Sequence, residues 1–202
     1  VPGVNHQLLK KEMKVISIAS CTTNCLVPVV FVLNKNFGIN RALMTTVHAY
    51  TNDQELHDSP HKKVRRGRAA AMNIVPTSTG AAEAIDEVLP ELTGKINGLA
   101  MRVPVAVGSM TDLVAEVGGE FTVEQINQAF KNASMKELKG ILEYSKDELV
   151  SSDVIGNPHS AVFDSLLTQV DGNLVKVLAW YDNEFGYSNR VVDVVKMLSK
   201  WW

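Results

Sequence analysis

The chain has 202 residues, of which 46% are hydrophobic and 21% are charged, so it is long enough to bury a core and has the composition of a folded protein. Its formal net charge of −2 gives no overall attraction to nucleic acid or to a membrane surface, and its longest apolar stretch, residues 26–33, is too short to span a bilayer. We therefore expect neither a nucleic-acid nor a membrane partner. The two cysteines, Cys21 and Cys25, form no framework of spaced pairs, which is typical of a reducing compartment and predicts a cytoplasmic protein.

The first part of the chain predicts a strand, a helix and a second strand around one cysteine. Residues 15–19 (VISIA) are apolar and β-branched, as in a buried strand. The following SCTTN segment is rich in residues that cap helices, and residues 26–37 are apolar enough to form a largely buried helix that ends at a glycine. Cys21 is therefore predicted at a strand-to-helix turn, at the positive end of the helix dipole. Residues 39–50 follow as a strand, with His48 near its C-terminal end.

The rest of the chain predicts shorter elements around a long polar loop. Residues 51–68 form this loop and hold the densest basic cluster. Strands and helices without strict alternation predict an α+β fold, with helices covering one face of a mixed sheet. The remaining predicted elements are a helix over residues 81–89 capped by Ser78 or Thr79, strand structure over 98–117, a helix over 123–134 capped by Thr122, a strand over 175–181 and a closing helix over 188–200.

Cys21 and His48 are the candidate catalytic pair. The N–H groups at a helix N-terminus favour the thiolate of Cys21, and a nearby imidazole would activate it for attack on a carbonyl group. The alternative, about equally common for a cysteine in such a sequence, is that Cys21 is a small buried apolar residue. Cys25 lies one turn further along the helix and is interpreted as packing. A Cys-x-x-x-Cys pair without other ligands is weak support for a metal, so no metal site is predicted.

The basic loop has three interpretations: a solvated charged face, a nucleic-acid contact, or the capture of a small anion. The net charge and the lack of interleaved aromatic residues disfavour nucleic acid. Arginine offers a bidentate fork for phosphate, and residues 78–82 are predicted to open a helix whose N–H groups would seat an anion. Arg102, inside an apolar strand, needs either water or a partner, because unpaired burial of its charge is costly. Together these features predict a phosphate site beside Cys21.

The sequence contains no Gly-x-Gly, so the dinucleotide-binding fingerprint and the P-loop are both missing. It also opens without an initiator methionine or a helix cap. We interpret it as a sequence that begins within a longer protein.

Five longer motifs occur in order along the chain. They are SCTTNC at residues 20–25, HAYT at 48–51, NIVPTSTGAA at 73–82, RVP at 102–104 and WYDNEFGYSN at 180–189. This series resembles the catalytic domain of the phosphorylating glyceraldehyde-3-phosphate dehydrogenases over essentially the whole chain. The resemblance implies an α+β domain with a mixed, mostly antiparallel sheet and helices packed on one face. It also implies a cytoplasmic oxidoreductase of glycolysis that forms a homotetramer as the full-length protein.

The resemblance divides the chain into three parts. Residues 1–20 would be a remnant of the last strand and link of an NAD-binding domain, residues 21–185 the catalytic domain, and residues 186–202 a C-terminal helix that packs against the cofactor domain in the family. The domain with the NAD-binding glycines would then be absent. We therefore expect the chain alone to be inactive or weakly active, and the apolar face of its last helix to be partly bare.

The same resemblance implies a reaction and a set of site residues. D-Glyceraldehyde 3-phosphate would be oxidised and phosphorylated to 1,3-bisphosphoglycerate through a thioester on Cys21, with His48 as general base and NAD, or alternatively NADP, as hydride acceptor. Thr51 and Arg102 would bind the phosphate of the substrate. The attacking inorganic phosphate would be bound by Ser20, Thr22, Thr79 and Gly80, and Arg66 would serve both anion sites. The cofactor would contact Asn183 and Tyr187.

Two segments depart from the family pattern, and three other functions stay open. Ile18 replaces a common asparagine, which changes the hydrogen bonding behind the cysteine, and residues 105–109 (VAVGS) replace a common TPNVS. One alternative is an enzyme like erythrose-4-phosphate dehydrogenase, which the STG sequence at residues 78–80 disfavours. A second is a thiol-dependent esterase or hydrolase that uses the same cysteine and histidine without a nicotinamide. A third is a binding module that recognises a polyanion through the basic loop.

Overall fold

Helices and strands alternate irregularly through residues 1–201, the part of the chain that the computed structural model describes. Trp202, the last residue of the predicted C-terminal segment 186–202, lies outside the described residues. The helices are α1 (Cys21–Phe37), α2 (Glu83–Val88), α3 (Val123–Met135) and α4 (Phe185–Leu198). The strands are β1 (Ile39–Ala49), β2 (Val75–Thr77), β3 (Ile96–Val103), β4 (Ser109–Val117), β5 (Leu142–Ser145), β6 (Ala161–Asp164), β7 (Gln169–Asp171) and β8 (Leu174–Tyr181).

The strands form one 8-stranded sheet in the order β2-β3-β1-β4-β8-β6-β5, with β7 paired to β8. The β1–β3 and β5–β6 pairs are parallel, and the other pairs are antiparallel. The chain is therefore an α+β protein with a mixed, mostly antiparallel sheet, which confirms the predicted fold class. The parallel β1–β3 pair matters most for function, because its register puts His48 opposite Arg102.

Helix α1 lies across one face of the sheet and supplies much of the core. Its apolar residues Leu26 and Val30 are fully buried. Beside it, Phe130 of α3 stacks on Phe163 of β6 with ring centroids 3.8 Å apart. Gly38 ends α1 in a left-handed conformation (φ 65°), which a glycine adopts at little cost. The long buried helix and its glycine stop are thus as predicted, and α1 fixes the position of its own first residue, Cys21.

The sheet face away from α1 and part of α4 expose apolar side chains to solvent. Leu43, Leu99, Val114 and Leu174 lie on the sheet face away from α1, and each is at least 36% exposed. Val195 of α4 is 49% exposed, so the apolar face of the last helix is partly uncovered, as expected. No helix within residues 1–201 has the length and apolar character needed to cross a membrane.

Residues 15–19 do not form the predicted strand. They have no regular secondary structure, they pair with no strand of the described chain, and Val15 is 88% exposed. A strand needs a neighbour for its N–H and C=O groups, and a β-branched composition does not supply one.

The predicted start of α2 is also wrong. The helix begins at Glu83, and neither Ser78 nor Thr79 caps it. The Thr79 hydroxyl instead accepts a hydrogen bond from Ala81 N (3.2 Å), which closes a turn before the helix. The helix N-terminus predicted as an anion seat therefore lies further along the chain than residues 78–82.

Helix α4 begins at Phe185 rather than at residue 188. The Asp182 carboxylate accepts hydrogen bonds from the N–H groups of Glu184 and Phe185, both at 2.8 Å, and so stabilises a helix start that lies earlier than the apolar pattern indicates. The sequence patterns also do not predict β2, β5, β6 and β7, because strands of three or four residues are too short to show alternation.

Candidate active site

The turn before α1 places Cys21 in a constrained position. Ala19 has a left-handed backbone (φ 61°), which is uncommon for a residue with a Cβ atom. The Asn24 side chain holds this turn by donating to the carbonyls of Ile18 (2.7 Å) and Ser20 (2.9 Å). Ser20 caps the helix, since its hydroxyl accepts a backbone N–H of the first turn at 3.0 Å. Cys21 is therefore fixed at the helix N-terminus, as predicted.

His48, near the C-terminal end of β1, lies beside the thiol at the start of α1. His48 Nε2 lies 3.5 Å from Cys21 Sγ. The other ring nitrogen, Nδ1, lies 2.6 Å from the carbonyl oxygen of Ala49. A carbonyl only accepts, so Nδ1 carries the proton of the neutral ring and donates it. Nε2 is then an unprotonated acceptor next to the sulfur.

Burial decides the charge state of this pair. Desolvation, aided by the charges of Arg102 and Arg66, lowers the pKa of His48 to about 4. Burial also raises the pKa of the Cys21 thiol, and the hydrogen bonds of Thr22 and the charge of Arg102 offset only part of that effect. The expectation that the helix N-terminus holds Cys21 as a thiolate stays a prediction, and burial works against it, because desolvation disfavours the charged sulfur. Both shifts favour a neutral thiol beside a neutral imidazole.

Cys25 has the packing role that its place one turn further along suggests. Its side chain is fully buried, and its sulfur lies 3.3 Å from Thr111 Oγ1. Burial raises its pKa to about 12. Both cysteines are free. Among residues 1–201 no cluster of three or more His, Cys, Asp or Glu side chains could hold a metal ion.

One cavity of about 410 Å³ opens beside the cysteine and the histidine. Asn183 and Tyr187, the residues predicted for the cofactor, are not part of its lining. The structure thus gathers the predicted catalytic and anion-binding residues and leaves the two cofactor residues apart from them. The predicted residues that line the cavity are Ser20, Cys21, Thr22, His48, Thr51, Arg66, Thr79, Gly80 and Arg102.

Arg102, Thr51 and Gln54 form a first polar group, here called the Arg102 group, of which Arg102 and Thr51 line the cavity. Arg102 Nη1 donates to Thr51 Oγ1 (2.8 Å) and to Gln54 Oε1 (3.2 Å). Arg102 Nε and Gln54 Nε2 are buried donors without a partner in the described chain. Unpaired buried donors are costly, so this group is suited to an acceptor such as a phosphate oxygen. Sequence reasoning missed Gln54, which carries no motif within the polar loop.

Arg66 and Thr79, with Gly80 beside them, form a second polar group, here called the Arg66 group. Arg66 is buried, donates from Nε to Thr77 Oγ1 (2.8 Å) and from Nη2 to the Ser78 carbonyl (3.1 Å), and forms an ion pair with Asp53. These contacts fix the segment that carries Thr79. Arg66 thus brings a positive charge to the cavity and also holds its wall.

A buried network behind the catalytic pair centres on Tyr181, which sequence reasoning missed as a site residue. Its hydroxyl lies 2.9 Å from Thr22 Oγ1 and 2.9 Å from Thr46 Oγ1. Its ring meets His48 edge-on, with centroids 5.9 Å apart. The sequence offers one signal for it, its place in the WYDNEFGYSN motif. Tyr181 connects the first turn of α1 with β1, the two elements that carry the thiol and the imidazole.

Asn183 lies just beyond the end of β8. Its Oδ1 accepts hydrogen bonds from Gly108 N and Ser109 Oγ, both at 3.1 Å. A main-chain N–H can only donate, so the oxygen must face Gly108, and Nδ2 has no protein partner in the described residues. A free amide N–H suits a carbonyl acceptor, the group that a nicotinamide carboxamide offers. Tyr187 is half-buried in the first turn of α4.

The fold and the cavity by themselves indicate a class of protein. An α+β domain that joins a thiol, an imidazole and two arginines in one hydroxyl-lined cavity is typical of an enzyme that binds an anionic substrate covalently. A family model described as "Glyceraldehyde 3-phosphate dehydrogenase, C-terminal domain" matches residues 20–183. The chain belongs to the glyceraldehyde-3-phosphate dehydrogenase family, a family of oxidoreductases.

Curated relatives with this name match the chain almost from end to end. Over 200 residues the chain is 58% identical to the glyceraldehyde-3-phosphate dehydrogenase of Mycobacterium avium, covering 99% of this chain and 59% of that protein. Over 196 residues it is 60% identical to glyceraldehyde-3-phosphate dehydrogenase 2 of Streptomyces avermitilis, covering 96% of this chain and 58% of the relative. The chain therefore spans less than two thirds of the length of these relatives.

His48 makes the stability of the protein depend on pH in a defined direction. Its folded-state pKa of about 4 lies below the ordinary 6.5, so protons bind the unfolded chain more readily between these values. The stability that the neutral ring contributes is fully present above pH 6.5 and is lost as the pH falls toward 4. We expect the free energy of unfolding, measured with urea at pH 7 and pH 4, to fall by about 3 kcal/mol more in the wild-type chain than in His48→Gln. Equal losses in the two proteins would contradict this charge state.

Proposed function

We propose that the chain carries the catalytic part of a phosphorylating glyceraldehyde-3-phosphate dehydrogenase. In this proposal D-glyceraldehyde 3-phosphate is oxidised and phosphorylated to 1,3-bisphosphoglycerate, with NAD or NADP as hydride acceptor. The observation that carries the proposal is the 3.5 Å contact between Cys21 Sγ and His48 Nε2 in a cavity that two arginines also line. A thiol–imidazole pair alone would serve many reactions, whereas two arginine groups suit a reaction in which a phosphorylated substrate meets a second phosphate.

Cys21 and His48 make the covalent bond to the substrate. The sulfur attacks the aldehyde carbon while its proton moves to His48 Nε2, and a thiohemiacetal results. The neutral imidazole is the form that can take this proton, and its bond to the Ala49 carbonyl keeps Nε2 free for it. The backbone N–H of Cys21, at the start of α1, is available to the oxygen that gains negative charge.

In this proposal each arginine group binds one of the two phosphates of the reaction. The Arg102 group binds the phosphate of the substrate, because its unpaired donors on Arg102 and Gln54 match phosphate oxygens. The Arg66 group binds the inorganic phosphate that attacks the thioester, and Ser20 and Thr22 add hydroxyl groups beside the sulfur. Attack by this phosphate on the thioester carbon expels the Cys21 sulfur and leaves an acyl phosphate.

Asn183 and Tyr187 are the residues that would hold the nicotinamide cofactor. NAD, when bound, supplies the hydride acceptor. Asn183 would present its Nδ2–H to the carboxamide, since its oxygen is already engaged by Gly108 and Ser109. In this proposal residues 1–20 belong to the cofactor domain, residues 21–185 form the catalytic domain, and residues 186–202 pack against the cofactor domain.

The proposal extends to a cytoplasmic enzyme that assembles as a homotetramer in its full-length form. A reducing compartment keeps Cys21 and Cys25 as free thiols. The bare sheet face that includes Leu43, Leu99 and Val114 offers apolar surface for contact between subunits.

The thioester step can be tested without any nicotinamide, because it is the reverse of phosphate attack. We expect an acyl phosphate such as acetyl phosphate to transfer its acyl group to the Cys21 sulfur and to release inorganic phosphate. Intact-mass and peptide-mapping spectrometry should find one acyl group on Cys21 and none on Cys25. Adding inorganic phosphate should remove the acyl group.

The controls separate this function from the alternatives. Cys25→Ala should be acylated like the wild-type chain, whereas Cys21→Ser should not form the thioester. Absence of the adduct, or equal labelling of both cysteines, would contradict the proposal. Loss of the acyl group at the same rate with and without phosphate would favour a hydrolase instead.

Arg102→Gln tests the assignment of the substrate phosphate. Glycerol 3-phosphate carries the phosphate of the substrate but no aldehyde, so it should protect Cys21 from alkylation by iodoacetamide without reacting. Losing the charge-assisted hydrogen bonds of Arg102 should raise the half-protecting concentration by about tenfold or more. Arg41→Gln, which removes an exposed arginine paired with Glu116 outside the cavity, should leave that concentration unchanged. Equal protection in both variants would exclude Arg102 as the phosphate ligand.

A further inference from the structure

Ser109 connects the two halves of the site through one buried hydroxyl. It is the first residue of β4, the strand that lies between β1 and β8, and it is 1% exposed. Its Oγ accepts a hydrogen bond from Ala49 N at 3.1 Å and donates one to Asn183 Oδ1 at 3.1 Å. The directions follow from the chemistry, since a main-chain N–H only donates and an amide oxygen only accepts.

The Ala49 side of this bridge leads to the catalytic base. Ala49 donates its N–H to Ser109. Its carbonyl oxygen accepts a hydrogen bond from His48 Nδ1 at 2.6 Å. Ala49 is the last residue of β1; it still pairs with Val103 of β3, but the pairing of β1 with β4 ends at Val47, so on the β4 side the Ser109 hydroxyl takes the place of a ladder bond. The Ser109 hydroxyl therefore anchors the residue that fixes the tautomer and orientation of the imidazole.

The Asn183 side of the bridge fixes which atom of the amide is free. Ser109 Oγ and Gly108 N both donate to Asn183 Oδ1, and Nδ2 is left for a ligand. Gly108 has a left-handed backbone (φ 93°), and a Cβ atom there would lie 2.2 Å from the Ser151 carbonyl oxygen. The backbone on the Gly108 side is thus rigidly set, while the hydroxyl of Ser109 is shared with Ala49.

We propose that Ser109 is a positioning residue that sets the orientation of His48 and of Asn183 together. The proposal rests on the proposed function, because that function gives His48 its role toward the Cys21 thiol and Asn183 its role toward the nicotinamide carboxamide. His48 on the substrate side and Asn183 on the cofactor side would then be aligned by the single buried hydroxyl of Ser109. A change in the position of either residue would reach the other through that hydroxyl.

Ser109→Ala in the full chain tests this proposal with two readouts that need no cofactor. The first is the rate at which iodoacetamide alkylates Cys21, followed by peptide mapping. The second is the pair of side-chain amide resonances of Asn183 in a ¹H–¹⁵N spectrum. We expect alkylation to slow by about threefold to tenfold, the effect of one lost hydrogen bond on the base, and the Asn183 resonances to shift.

Ser160→Ala is the matched control, because Ser160 is also a buried serine (3% exposed) but its hydroxyl has no hydrogen-bond partner in the described chain. It should change neither readout. Ser109→Cys keeps a weaker donor with a similar volume and should give intermediate values, and it serves as the test if Ser109→Ala does not fold. The proposal is overturned if the Ser109 variants change only one readout, change neither, or match Ser160→Ala.

The same experiment keeps the two proposals distinguishable. In the wild-type chain Cys21 must be alkylated faster than Cys25, and equal rates would count against the proposed function whatever Ser109 does. A selective Cys21 in the wild-type chain with unchanged behaviour of the Ser109 variants would overturn the bridge alone.

Discussion

The hydrogen bond between His48 Nδ1 and the Ala49 carbonyl is the interaction on which the site depends. At 2.6 Å it fixes the proton on Nδ1 and leaves Nε2 as an acceptor 3.5 Å from the Cys21 sulfur. With the opposite tautomer, an N–H would face the thiol and no acceptor would be present for its proton. The fold supplies this arrangement through the end of β1, where the base, its carbonyl partner and the neighbouring Arg102 all lie within one strand pair.

Electrostatics link the base to the anions that the cavity suits. Beyond the effect of burial, the charges of Arg102 and Arg66 lower the pKa of His48, and burial together with the charge of Arg102 lowers the pKa of Arg66. Burial is the largest cause of the lowered pKa of His48, and the two guanidinium charges add to it. A phosphate at either arginine would offset that positive charge and raise the pKa of His48. The histidine would become a stronger proton acceptor when a phosphorylated substrate is present.

Much of the site could be predicted from sequence, because its residues lie in long motifs with local consequences. A capped helix start predicts where Cys21 lies, and a β-branched strand end predicts the place of His48. The residues that sequence reasoning missed act through tertiary contacts. Gln54 matters because it meets Arg102, and Tyr181 because its hydroxyl joins Thr22 to Thr46. Neither contact leaves a pattern along the chain.

The errors in the fold have the same origin. Residues 15–19 have the composition of a strand, but pairing partners, not composition, make a strand. Local hydrogen bonds of Thr79 and Asp182 moved the starts of α2 and α4 away from the positions that the apolar pattern indicates. Burial of the sulfur opposes the predicted thiolate, and sequence reasoning, which considered only the helix N-terminus, could not detect that burial.

The central claim is that the resting pair is a neutral thiol beside a neutral imidazole protonated on Nδ1. The most direct measurement is the ¹⁵N chemical shift of both ring nitrogens of His48 at pH 7, assigned by comparison with His48→Gln. We expect one protonated nitrogen, Nδ1, and one unprotonated nitrogen, Nε2. Two protonated nitrogens, the signature of an imidazolium paired with a Cys21 thiolate, would contradict the account.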